Sequence, residues 1–458
     1  MKLVLLTDFG STYTKLTLID LVTEEVISTA QSTTTVSTNI LDGYVRAYNS
    51  LNIPGEIEER LACSSAAGGL VVTAIGLVKK LTVEAAKRAA LGAGAKVEYV
   101  YSNFITYDEI DEIKNSDADI ILLAGGTDGG NSESIIHNAK MLAEALIDIP
   151  IVLAGNKKAY AEIESIFKIN NIYYRKAENV MPEINKLNVE SAKEVIREIF
   201  IEKITLAKGI KQAEELVDNV IMPTPAAVLH GLEVLGQGTK NEIGIGDLLC
   251  VDVGGATTDI HSIAQGLPSK AGVVFQGLEE PIAKRTVEGD LGMRYSANAL
   301  YETVGELAFK EYGLSDVKDK IEFRRRNTEF IAKEHNDVMF DIAMASICVD
   351  EAMSRHVGSV ETIYSPMGMM YLQTGKDLSN LKYIIGTGGV VVNNDNIVEK
   401  TLFNQKKMTE LRPTDCEIII DKMYILSSLS LLSVRYPDVA LRMMKKYLLQ
   451  ENKDGTKE

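Results

Sequence analysis

At 458 residues, with roughly 100–200 residues to a domain, the chain is sized for two to four domains. Its 46% apolar and 24% charged composition excludes wholesale disorder and fits an ordinary soluble globular protein. The net charge of −16 argues against a nucleic-acid footprint, which leans on an excess of Lys and Arg. Cys63, Cys250, Cys348 and Cys416 stand apart with no CxxC pair. They read as reduced, mostly buried thiols, not as a disulfide frame or a zinc site; one thiol shared as a cluster ligand between subunits stays open. The longest apolar stretch, Gly69 to Val78, is about half of the roughly 20 residues a membrane span needs. Asp8 interrupts the apolar start too early for a signal peptide, so no membrane contact and a cytoplasmic location are expected.

In chain order, Leu3–Leu6, the turn from Asp8 to Thr12 and the apolar run from Leu16 to Ile19 predict a strand–turn–strand. A Ser/Thr-rich stretch from Ser28 to Thr38 reads as polar connection, and Ile40–Asn49 as a helix. Leu70–Ile75 is strand-like, and Thr82 is placed to cap a helix that stops near Gly92 or Gly94. Val97–Tyr101, Ile120–Ala124, Ile151–Ala154 and Ile172–Tyr174 then alternate with helical spacing over Asp108–Lys114, Ser132–Leu146 and Lys158–Phe167. That rhythm predicts a parallel sheet covered by helices.

Glu190–Lys208 reads as a long helix with Gly209 as its stop. Leu248–Ser262 reads as a second strand–turn–strand, helical stretches fill Ser296–Glu334 and Asp341–His356, and Tyr383–Ile385 is a strand. Arg324-Arg325-Arg326 reads as a solvated helix face in preference to an anion site. The five histidines lack metal-ligand spacing, and the tail from Lys446 is charged.

One internal echo carries chemistry. Asp8-Phe9-Gly10-Ser11-Thr12-Tyr13-Thr14 aligns with Asp252-Val253-Gly254-Gly255-Ala256-Thr257-Thr258, which Asp259 follows. In each, glycine lets the backbone approach a ligand, turn amides can form an anion nest, and hydroxyls add donors. Carboxylates repel phosphate but suit a hydrated Mg²⁺, so Asp8, Asp252 and Asp259 are candidates to hold one through water. A third element, Gly386-Thr387-Gly388-Gly389, follows a strand and offers backbone to a base, ribose or phosphate, although alone it is as readily a packing turn. There is no P-loop and no HExxH motif.

These three elements resemble, in order, the first phosphate loop, the second phosphate loop and the adenosine loop of the actin/heat-shock-chaperone/sugar-kinase superfamily. The resemblance implies an α/β fold of duplicated ribonuclease H-like (actin-type) lobes, with ATP or ADP and Mg²⁺ in a cleft. It assigns Gly10, Ser11, Thr12, Thr14, Lys15, Gly254, Gly255, Thr257, Thr258, Gly386, Thr387, Gly388 and Gly389 to the nucleotide. Asp8 and Asp252 become the catalytic candidates, with Asp252 orienting the attacking water.

A narrower resemblance spans nearly the whole chain. Asp8 to Lys15, Leu123-Ala124-Gly125-Gly126-Thr127-Asp128-Gly129-Gly130-Asn131 and Thr286-Val287-Glu288-Gly289-Asp290-Leu291-Gly292-Met293-Arg294 together resemble the MutL/GlmL family. It implies an ATP-dependent, chaperone-like factor that reactivates a coenzyme B12-dependent aminomutase such as glutamate mutase. A small-molecule kinase, a hydantoinase- or oxoprolinase-type enzyme and a nucleotide-dependent assembly protein are alternatives on the same fold. The Gly125–Asn131 loop is equally a helix cap or a ligand or partner site, and Glu288-Gly289-Asp290 is favoured as a plain turn. The expected division is a first lobe over 1–94, an inserted α/β subdomain over 95–185, a helical return over 186–245, a second lobe over 246–445 and a tail over 446–458.

Overall fold

Central strands of a parallel sheet are buried on both faces and read as continuous apolar runs, whereas edge strands stay half polar. Both kinds organise the computed structural model, which describes residues 1–10, 13–33, 40–65, 70–206, 219–365, 368–394, 397–398 and 408–450. The chain divides into two units, Met1–Gly231 with Ser427–Val439, and Leu232–Leu426 with Ala440 onward.

The first unit runs β1 (Leu3–Phe9), β2 (Tyr13–Asp20), β3 (Glu25–Thr33), α1 (Ile40–Ser50), β4 (Ile57–Ser64) and β5 (Val71–Gly76). It continues with α2 (Glu84–Gly92), β6 (Lys96–Ser102), α3 (Tyr107–Asn115), β7 (Ile120–Leu123), α4 (Glu133–Glu144), β8 (Ile151–Leu153) and α5 (Tyr160–Ile169). Then come β9 (Tyr174–Lys176), α6 (Glu190–Leu206), β10 (Asn219–Pro223) and α7 (Thr224–Gln237), whose last turns belong to the second unit. One sheet has the order β10-β4-β1-β2-β3, antiparallel along β1–β2–β3 and parallel along β1–β4–β10. The other, β6-β5-β7-β8-β9, is wholly parallel, with a core of its own from Ile75 to Ile172.

The second unit carries β11 (Leu248–Val253), β12 (Thr258–Ile263), β13 (Val273–Phe275), β14 (Ala283–Glu288), α8 (Ala297–Lys310), α9 (Val317–Arg326) and α10 (His335–His356). It is completed by β15 (Ser359–Ser365), β16 (Gly368–Thr374), β17 (Tyr383–Thr387), α11 (Gly389–Val392), β18 (Glu417–Ile420) and α12 (Leu426–Arg435), which re-enters the first unit, and by α13 (Pro437–Met444). Its main sheet has the order β14-β12-β11-β17-β18, with antiparallel β11–β12–β14 and parallel β11–β17–β18. Numbered within each sheet, both read 3-2-1-4-5 with the same strand senses. This repeat is the duplicated ribonuclease H-like, actin-type architecture. A small sheet, β13-β16-β15, stands beside the second.

Several expectations need correction. The stretch from Ser28 is strand as far as Thr33, with 34–38 outside the described residues: there β3 alternates exposed and half-buried residues, as an edge strand must. Thr82 caps nothing forward; its hydroxyl accepts the Leu77 and Val78 amides from inside a π-helical turn, Lys79–Val83. The fifth strand of the inserted sheet is Tyr174–Lys176, only half buried because it is an edge. That sheet begins at β5, ahead of residue 95, because β5 pairs with β6 and β7. Arg324 is fully buried, while Arg325 and Arg326 pair with Glu322 in solvent. Lys445–Gln450 is helical, and the rest of the tail, like Gly209, lies outside the described residues. Among the described residues no helix is long and apolar enough to cross a membrane.

Candidate functional site

Both hairpins are built alike. In the first, β1 and β2 pair Asp8 with Lys15 and Phe9 with Thr14, and the Gly10 amide donates to the Tyr13 carbonyl at 3.0 Å. In the second, β11 and β12 pair Asp252 with Asp259 and Val253 with Thr258, and the Gly254 amide donates to the Thr257 carbonyl at 2.9 Å. A Cβ on Gly10 would lie 2.6 Å from the Tyr13 oxygen, so the turn excludes larger residues there. Ser11 and Thr12, assigned to the nucleotide from sequence, lie outside the described residues.

Asp8 is buried near the tip of its strand. Its Oδ1 accepts from Thr224 Oγ1 at 2.7 Å and from the Cys63 thiol at 3.6 Å. Burial, then the Asp8 carboxylate, pushes the Cys63 thiol well up, so it stays protonated and donates. Thr14 is fully buried behind the turn, and Lys15 is half buried.

In the second hairpin the carbonyls of Gly254, Gly255 and Ala256 are all taken, by the Met293 amide, the Arg294 amide and Ser296 Oγ. The Gly255 and Ala256 amides find no partner among the described residues. The loop is half exposed, and open turn amides of this kind are what an anion nest uses. Two of the donors to its carbonyls, Met293 and Arg294, close the Thr286–Arg294 motif, in which Gly289 and Asp290 form a turn. Glu288 pairs with Thr258 across the strands, and Arg355 bridges Glu288 and Asp290 at 2.6 and 2.7 Å. Burial raises the Glu288 carboxyl, while the hydrogen bond from Arg355 lowers that of Asp290.

The other expected donors divide. The Thr258 hydroxyl donates to the Leu291 carbonyl at 2.7 Å, so it braces the loop from within. Thr257 donates to Asp259 Oδ2 at 2.9 Å, while Asp259 Oδ1 is held by buried Arg285 at 2.6 Å. Asp259 thus has a partner on each oxygen, and Asp252, half buried, lies across from it in the register. Among the described residues no cluster of three His, Cys, Asp or Glu forms an ion cage.

The third element joins the second hairpin. β17 pairs with β11, setting Thr387 beside Asp252. Gly388, at φ +96°, lies so close to Val253 that a Cβ would stand 2.3 Å from its carbonyl oxygen. Gly386 is a packing glycine enclosed by Val391, Val398 and Ile420, whereas Gly389 is exposed. Thr387 also donates to buried Asp421 at 3.4 Å.

Sequence reasoning missed Thr224, Cys63, Arg285, Arg355 and Asp421. Only Thr224 carried a local signal, since Thr-Pro opens helices. The Gly125–Asn131 loop spends its polar groups on neighbouring segments of the chain. Asn131 Oδ1 accepts from the Ser134 amide and hydroxyl, and Asp128 is held by Asn179 and Lys157. That favours the cap over a ligand site.

The family model described as MutL protein matches residues 4–448. A Protein MutL from Clostridium tetanomorphum is 53% identical over 461 residues, covering 98% of this chain and 100% of that one. Among solved structures, a ROK family glucokinase from Streptomyces griseus in complex with glucose and AMPPNP aligns over 94% of this chain and 98% of its own, at 12% identity and TM-score 0.34. The activator of the 2-hydroxyisocaproyl-CoA dehydratase from Clostridium difficile, with bound ADPNP, aligns over 100% and 98%, at 9% identity and TM-score 0.32. At such scores the fold rests on the repeated strand order alone. The match across the chain, together with the 53% identity, establishes that this chain belongs to the MutL protein family.

Proposed function

We propose that this chain binds ATP with Mg²⁺ and hydrolyses it slowly, as an accessory factor that reactivates a coenzyme B12-dependent aminomutase such as glutamate mutase. One observation carries the nucleotide reading: the same Asp-x-Gly hairpin closes the first two strands of two sheets of identical order, and in the second its amides are open. Family membership supports the choice of partner.

In this reading the loop amides and Thr387–Gly389 hold the nucleotide, and Asp8 and Asp252 hold the hydrated metal. A water oriented by Asp252 attacks the γ-phosphorus, the bond to the β–γ bridging oxygen breaks, and ADP and phosphate leave. Preorganised donors stabilise the spreading charge.

Calorimetry of ATP with Mg²⁺ tests the site on wild type and on Asp8→Ala with Asp252→Ala. Saturable binding to wild type, lost in the folded double variant, is the expected result. A folded wild type that takes up no ATP would end the ATPase reading. Restored turnover of a cobalamin-inactivated glutamate mutase on adding this protein with ATP then tests the partner. ATP binding without restoration would leave a nucleotide-binding protein with another client.

A further inference from the structure

We propose that Thr224 is a positioning residue for the Asp8 carboxylate, fixing Oδ1 so that Oδ2 is presented to the hydrated metal ion. This rests on the nucleotide reading above and adds to it a residue 216 positions away in the sequence.

The geometry comes from three adjacent strands. Asp8 on β1 pairs with Cys63 on β4, and Cys63 pairs with Met222 on β10. Two residues beyond Met222, Thr224 begins α7 and its Oγ1 reaches Asp8 Oδ1 at 2.7 Å. The Cys63 thiol approaches the same oxygen at 3.6 Å. Among the described residues Oδ2 receives no donor from the protein. One oxygen is therefore anchored inside and the other is left for a ligand.

Local chemistry makes Thr224 a rigid anchor. Thr224 opens α7 and Pro225 follows it, its ring fixing φ in the first helical turn. The β-branched side chain then has few rotamers. A hydroxyl donating to a carboxylate is a charge-assisted bond, short and directional.

The test uses the full chain with Thr224→Val, which keeps the shape and removes the donor, and Thr224→Ser, which keeps the donor. Thr224→Val should raise the Mg²⁺ concentration for half-maximal ATP hydrolysis about tenfold, while Thr224→Ser stays within about threefold of wild type. A purely structural threonine would lower the melting temperature and leave the Mg²⁺ dependence in place. Wild-type Mg²⁺ dependence in a folded Thr224→Val protein overturns the proposal.

The second readout needs no nucleotide: the ¹³Cγ resonance of Asp8 in the unliganded protein. It should move in Thr224→Val and return in Thr224→Ser; an unmoved resonance overturns the positioning role. If wild type hydrolyses no ATP, the ATPase reading falls and this resonance still decides about Thr224. If Thr224→Val does not fold, the pair Thr224→Ser and Thr224→Ala is compared in the same way, with the same two outcomes.

Discussion

Asp341 shows how one residue ties the core of the second unit to its Gly254–Thr257 hairpin loop. Its Oδ1 accepts from Arg324 Nε at 2.6 Å and its Oδ2 from Arg294 Nη2 at 2.7 Å. Arg324 is fully buried, with its guanidinium 4.4 Å from the Phe340 ring centroid, and the Arg294 amide holds the Gly255 carbonyl. Removing the shared charge strands a buried cation, a loss of about 3–5 kcal/mol. Urea denaturation of Asp341→Asn should show it; a loss under about 1 kcal/mol would mean that Asp337, also paired with Arg324, suffices. His261 sets a second residue-scale expectation. Burial, then Arg285, holds its pKa down to about 3, so it is neutral in the fold. Unfolded, it protonates near about pH 6.5. Its contribution is thus whole above that pH and is lost as pH falls towards about 3, at about 1.4 kcal/mol per pH unit. In His261→Leu the stability measured between about pH 6 and about pH 5 should fall less steeply than in wild type, by about one proton. Parallel curves would show that His261 does not titrate on unfolding.

At the scale of elements, what could be read from the sequence was what is local. The hairpins were legible because Asp-x-Gly turn chemistry lies within a few residues, and the two registers, Asp8 with Lys15 and Asp252 with Asp259, agree with the alignment of the two copies. What a carboxylate faces is not local. Asp259 gives no hint in the sequence of Arg285, which β14 brings across to pair with it. Asp8 shows no trace of Thr224 until β10 is laid beside β4. β3 was obscure because an edge strand lacks the apolar run that betrays a central one. Thr82 was misread because a hydroxyl can serve amides before it as well as after it. Arg324 looked solvated beside Arg325 and Arg326, yet consecutive helical positions face different directions, and one of the three points inward.

For the whole molecule, the parallel sheet β6-β5-β7-β8-β9 raises the question of whether it is a domain in its own right. Such a sheet needs helices on both faces. Of its own helices, α3 packs on α4 and α4 on α5, while α2 packs on α6. The last contact is close: a Cβ on Gly92 would lie 2.3 Å from Lys193 Cε, and Arg197 donates to the Gly92 carbonyl at 3.2 Å. α6 also buries Ala192, Ile196, Ile199 and Phe200, and it lies beyond residue 185. A fragment ending at 185 therefore leaves the α2 side bare, whereas one extended through α6 covers it. Residues 70–206 expressed alone should unfold in one cooperative urea transition. Residues 70–185 should bind the dye ANS and lose that cooperativity, as expanded states with exposed apolar surface do. If both fragments behave as expanded states, the inserted sheet depends on β4 and β10 for its stability, and the first unit folds as one body. If both fold cooperatively, α6 belongs with the first sheet and its packing on α2 is an interface between two domains.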